Sequence, residues 1–224
     1  MDVRQISIEL KKHIPFTMWG VVTGIIFMVL FREIFFGAAH KMFHMFHFVH
    51  VFLSALVTAS MFKIHKDEET KGKCNFLTIL LVGFSGAVGI ATLSDSVIPY
   101  IGEVLLRLPN RGVHIGFIEE WKAVSLCAIS GVTVAHFIPR TRFPHAGHVL
   151  LSTWASLFHI IMSLGQGLTG YLYIGIFIFL FLSVWLPCCV SDIVFPLLFI
   201  KEPVEIMQDK QLLLTEKVVK RIRY

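Results

Sequence analysis

The chain has 224 residues, 55% of them hydrophobic and 16% charged, with a formal net charge of +5. A soluble domain of this length cannot hide that much apolar surface, so the composition points to a polytopic membrane protein whose first partner is the lipid bilayer. No Lys/Arg-dense patch with interleaved aromatics stands in a polar context, which argues against nucleic acid. Cys74, Cys127, Cys188 and Cys189 show no C-x-x-C spacing, so neither a disulfide framework nor a zinc knuckle is expected, and the vicinal pair reads as small packing residues.

The opening "MDVRQISIELKKHIPF" is polar for about a dozen residues, unlike a secretory signal with its apolar core and small-residue cleavage site. A spanning helix needs roughly 20 apolar residues. On that measure the sequence predicts six spans, at 15–36, 41–63, 75–100, 121–139, 146–165 and 170–199. The loops between them carry breakers and charges, as in "KIHKDEETKGK", "LPNRGVHIGFIEE" and "PRTRFP". Pro187 and Pro196 are expected kink points in the long last run. The tail over 204–224 is amphipathic and basic at its end, and is expected to lie beside the membrane.

Six spans place both termini on one side. That side carries Arg4, Lys11, Lys12, Lys63, Lys66, Lys71, Lys73, Arg140, Arg142 and the tail cluster from Lys201 to Arg223. The other side carries only Arg32, Lys41, Arg107, Arg111 and Lys122. The positive-inside rule then puts both ends in the cytoplasm of a plasma (inner) membrane protein.

The apolar runs contain an internal repeat. "HFVHVFLS" at 47–54 matches "HAGHVLLS" at 145–152, and "SDSVIP" at 94–99 matches "SDIVFP" at 191–196 at nearly the same offset. A looser match pairs "HIPF" at 13–16 with "HIGF" at 114–117. Each unit, about 13–108 and 114–203, holds three spans. An odd number of spans inserts the second unit upside down. The expected fold is therefore an all-α, single membrane domain of six helices built as two inverted three-helix repeats.

Residues three apart share a helix face, so His47 and His50 point together, as do His145 and His148. Ionisable groups inside a membrane are costly and normally face a cavity or a partner. Two imidazoles and a carboxylate suit a divalent transition metal such as zinc, iron or manganese. Each repeat supplies one set: His47, His50 and Asp95, then His145, His148 and Asp192. Ser54, Ser94, Ser152 and Ser191 are candidates to orient those ligands, and His44, His13 and His114 are possible extra ligands. The spacing leaves open whether the sets form two sites, one nearer each face, or one centre near the midplane. Asp95 and Asp192 also fit helix caps or re-entrant turns. His65 reads as a solvated loop residue, His136 and His159 as unrepeated, and Gly83, Gly86 and Gly89 as a close helix-packing face.

The pattern predicts a permease whose substrate is a divalent metal cation, not an enzyme. An intramembrane metal-dependent hydrolase is the alternative, weakened by the lack of H-E-x-x-H or G-x-S-x-G. A b-type haem carrier and a non-catalytic membrane subunit rank below it, and the sequence does not set the oligomeric state.

Overall fold

In an apolar solvent a backbone segment must satisfy its own hydrogen bonds, which long apolar runs do by becoming helices. The computed structural model describes residues 3–70, 74–139, 142–164, 170–189 and 195–199. Among these residues every regular element is helical. The helices are α1 (Val3–Leu30), α2 (Arg32–Thr70), α3 (Phe76–Thr92), α4 (Ile98–Leu105), α5 (Gly116–Glu119), α6 (Trp121–Phe137), α7 (Arg142–Ser163), α8 (Gly170–Cys189) and α9 (Phe195–Leu197). A π-helical segment, Leu93–Val97, joins α3 to α4. Three stretches of the described helices are long and apolar enough to cross a membrane: Ile34–Asp67, Phe76–Leu105 and Gly170–Cys188. The chain thus has the helices of a membrane protein.

Several boundaries differ from the sequence expectation, each for a local reason. The break expected between 36 and 41 lies instead at Phe31. Gly37 alone does not interrupt a helix that has good formers on both sides. Phe31 still bonds the Phe27 carbonyl (2.9 Å) and accepts from Phe35 N–H (3.0 Å). The stretch expected as a charged loop after residue 63 stays helical to Thr70. There Lys63 and Asp67, one turn apart, form an ion pair of 2.7 Å, and His65 Nδ1 donates to the Met61 carbonyl at 2.8 Å. α3 begins at a true cap, since Asn75 Oδ1 accepts the Leu77 N–H at 3.1 Å. α4 ends in a Schellman turn: Leu108 N–H returns to the Glu103 carbonyl (3.0 Å), and Arg107 takes the left-handed position (φ 54°) usually given to glycine. Pro187 is carried inside α8.

α2 is the central helix and packs on α3, α6 and α7. One apolar core joins α2, α3 and α6 through Val51, Ala55, Ala59, Phe62, Ile79, Ala128 and Val132. A second joins α1, the start of α2, α7 and α8 through Val21, Phe43, Leu157, Phe158, Ile176 and Leu180. Small residues let the backbones approach. A Cβ on Gly131 would collide with the Phe52 carbonyl oxygen, so α6 rests directly on the α2 backbone. Gly83 faces Ala59 and Val132, and Gly86 faces Thr58 and Phe195, whereas Gly89 meets nothing within 4 Å. The expected glycine face is therefore made by two of its three members.

Candidate metal centre

α2 carries His47 and His50 near its middle rather than at its head, because the helix starts nine residues earlier than the apolar ruler suggests (Arg32 against 41). Both imidazoles turn inward and are buried. The π-helical segment delivers Asp95 to meet them. Pro99 has no N–H to give the carbonyl four residues back, and its ring would clash there. The chain accommodates this by widening one turn, and the Ile98 N–H bonds the Leu93 carbonyl five residues earlier. Ser94, Asp95 and Ser96 all become buried on the inner side of that turn.

Asp95 is fully satisfied. His47 Nδ1 donates to Oδ2 at 2.9 Å and His50 Nδ1 donates to the same oxygen at 2.7 Å. Ser94 Oγ donates to Oδ1 at 2.7 Å, and Ser152 Oγ from α7 donates to it at 2.8 Å. Ser156 Oγ then donates to the Ser94 carbonyl at 2.9 Å, fixing the π turn against α7. With Nδ1 of each imidazole given to Asp95, Nε2 is the ring atom left to meet a further partner. Neither Nε2 has a hydrogen-bond partner, although both are buried. His47 Nε2 lies against Gly116 of α5, at a place where any Cβ would overlap the ring.

His148 on α7 stands beside His50, with rings nearly parallel (8°) and centroids 5.8 Å apart. One ligand atom from each of His50, His148 and Cys188 lies within 4.8 Å of the others, as does one from each of His47, His50 and Asp95. One member of the second predicted set, His148, thus adjoins the first set directly. His145 has a helical backbone in α7 but its side chain, together with Ser191 and Asp192, lies outside the described residues. So does the side chain of His13, while Ser54 is buried one turn from His50.

His44 and His114 stand apart from this centre, both on Glu119: His44 Nε2 at 3.1 Å and His114 Nδ1 at 3.0 Å. Cys188, Glu103 and His159 stand near the two groups and are not among the site residues that the sequence predicts; the sequence reads Cys188 as packing and His159 as unrepeated. Glu103, buried, accepts from His159 Nδ1 at 2.7 Å across a sequence distance of 56 residues. Glu103 sits among the last residues of α4, past the expected end of its span. Only its charge, at the end of an apolar run, was a signal.

Comparison of the chain with protein-family models, with curated proteins and with solved structures finds no match. The chemistry of the residues has to carry the functional reading alone.

Proposed function

We propose that the chain is an integral membrane permease whose substrate is a divalent transition-metal cation, received by His47, His50, His148 and Cys188 at the centre of the helix body. The observation that carries the reading is the buried His47–Asp95–His50 arrangement with both Nε2 atoms unpartnered. A carboxylate that fixes imidazole tautomers through Nδ1 and leaves Nε2 exposed to a cation is the usual outer support of a histidine metal site. Asp95 then acts as a positioning residue, not as the ligand that its sequence pattern suggested. A thiolate beside the imidazoles favours zinc over manganese among the candidate ions.

The inverted repeat supports transport over hydrolysis. If α1, α2 and α3–α4 exchange with α6, α7 and α8, three of the main helix contacts have counterparts: α2 on α6 answers α7 on α1, α2 on α3 answers α7 on α8, and α1 on α8 answers α6 on α3. α2 and α7 then face each other across the axis, each bringing its H-x-x-H pair. In this reading six helices cross the plasma (inner) membrane, both termini are cytoplasmic, and rocking of one repeat on the other exposes the ion to each side in turn. The sequence repeat assigns His145 and Asp192 to the second half of the site.

Purified protein in liposomes loaded with a zinc-sensitive dye tests the proposal. Wild-type vesicles take up zinc down its gradient, and the His50→Ala/His148→Ala protein does not. Absence of zinc, iron(II) and manganese(II) flux through the wild type overturns it.

A further inference from the structure

A second cluster of metal-type donors lies outside the buried centre, at the N-terminal end of α2. His40 and His44 are one turn apart on one face of that helix. Opposite them, the loop after α4 brings His114, and α5 brings Glu119. Glu119 collects all three imidazoles: His114 Nδ1 at 3.0 Å from Oε1, His44 Nε2 at 3.1 Å and His40 Nε2 at 3.7 Å from Oε2. One ligand atom each of His40, His114 and Glu119 lies within 4.8 Å of the others.

We propose that His40, His44, His114 and Glu119 form a peripheral binding site for a zinc-class divalent cation, separate from the His47–Asp95–His50 centre. Three imidazoles and one carboxylate are a four-ligand set for zinc. Ligand atoms around a tetrahedral zinc stand about 3.3 Å apart, given bonds of about 2.0–2.1 Å. The three Glu119–imidazole spacings of 3.0, 3.1 and 3.7 Å are near that value, and the imidazoles close on one another around the ion from their present positions. The two halves of the site are held in register independently of any ion. α5 is seated by Gly116, which packs against His47 where no side chain would fit, and Glu119 follows three residues later.

A buried, unsatisfied group stands behind the cluster. The His159 ring meets His114 edge-on with centroids 5.7 Å apart, and it is fully buried with Nε2 unpartnered. A surface carboxylate that merely attracts passing histidines has no need of an imidazole packed behind it. Exposure grades outward from His44 (11%) to His40 (63%), so a cation reaches the cluster from solvent without opening the helix body. The existence of this site does not rest on the permease reading.

Cobalt(II), whose visible absorption reports a low-symmetry nitrogen and oxygen environment, is the test ion. Full-length, metal-stripped protein in detergent is titrated with cobalt and back-titrated with zinc. The His50→Ala/His148→Ala protein is expected to keep one cobalt site. On that background Glu119→Gln, and separately His40→Ala/His114→Ala, weaken it roughly 10–100-fold or more, since even an outer partner of a metal ligand is worth that much. These substitutions lie at partly exposed positions, and an unchanged helical circular dichroism spectrum confirms the fold. Cobalt binding that neither change weakens, or no cobalt site once His50 and His148 are removed, overturns the proposal. Wild-type protein that binds cobalt here but moves no metal across vesicles removes the permease reading and leaves this one standing.

Discussion

His50 Nδ1 and Asp95 Oδ2 are 2.7 Å apart, and neither side chain is exposed at all. The same oxygen takes His47, so one carboxylate sets the tautomer and ring angle of two imidazoles on successive turns of α2. A buried carboxylate is costly unless every lone pair is used, and here Ser94 and Ser152 use the others. The arrangement leaves two buried Nε2 atoms without a hydrogen-bond partner, held by three helical segments.

Replacing Asp95 by Asn tests whether the carboxylate works through the imidazoles. An amide has one acceptor oxygen and turns its NH2 toward groups that themselves donate, so two of the four donors lose their partner. The protein should lose about 1–3 kcal/mol for each donor left unsatisfied and roughly 10–100-fold in zinc affinity. Ser152→Ala leaves both imidazoles anchored and should keep most of the affinity. Zinc titration of the two purified variants decides it: equal effects would show that Asp95 serves packing alone.

Pro99→Ala addresses the π turn. Alanine returns the N–H that a regular helix would give to the Asp95 carbonyl, removing the reason for the widened turn. Regaining that bond is worth as much as ~3 kcal/mol. Rotation of the Asp95 side chain away from His47 and His50 leaves buried donors unsatisfied at about 1–3 kcal/mol each, so the two effects offset and thermal stability should change little. Zinc affinity should then fall toward that of Asp95→Asn. Loss of affinity without loss of stability is the expected signature, read from paired melting and titration experiments.

What the sequence made legible was periodic or repeated. Apolar runs marked the helices, H-x-x-H placed His47 and His50 on one face, and the repeat singled out Asp95 from the other acids. That Asp95 engages two Nδ1 atoms was not legible, because a carboxylate that binds a metal and one that holds imidazoles are the same residue type. They are told apart by which nitrogen the carboxylate engages, a matter of rotamer and turn geometry. His159 and Glu103 escaped because they pair across 56 residues with no pattern at either end. α2 outran its apolar ruler because the Lys63–Asp67 pair extends a helix that hydropathy alone would have stopped. The counterpart residues that the sequence repeat predicts, Ser191 and Asp192, lie outside the described residues.

The His159–Glu103 pair predicts a coupling measurable without any metal. Glu103→Leu leaves His159 Nδ1 buried without an acceptor, and His159→Phe strips Glu103 Oε1 of its donor. Each single change should cost about 1–3 kcal/mol. The double variant should recover part of that loss, because it removes both polar groups from an apolar setting of Phe43 and Ile160. Unfolding in mixed micelles of the two singles and the double gives the coupling energy, and simple additivity would show that the two side chains act independently.

Gly131 and Gly89 should respond oppositely to the same substitution. At Gly131 a new Cβ runs into the Phe52 carbonyl oxygen and also meets the Ala55 Cβ at 3.0 Å, so α6 must move off α2. Overpacking of this kind costs about 1–3 kcal/mol, and the contact is backbone, which cannot rotate out of the way. At Gly89 nothing lies within 4 Å, and alanine is the better helix former by about 0.8–1.0 kcal/mol. Gly131→Ala should therefore lower the melting temperature while Gly89→Ala leaves it unchanged or raises it. Because Phe52 lies two residues beyond His50, displacing α6 also loosens the segment that carries the imidazoles. Zinc affinity should fall in the first variant and hold in the second; a Gly131→Ala protein that melts and binds zinc like the wild type would mean that α6 does not bear on the site.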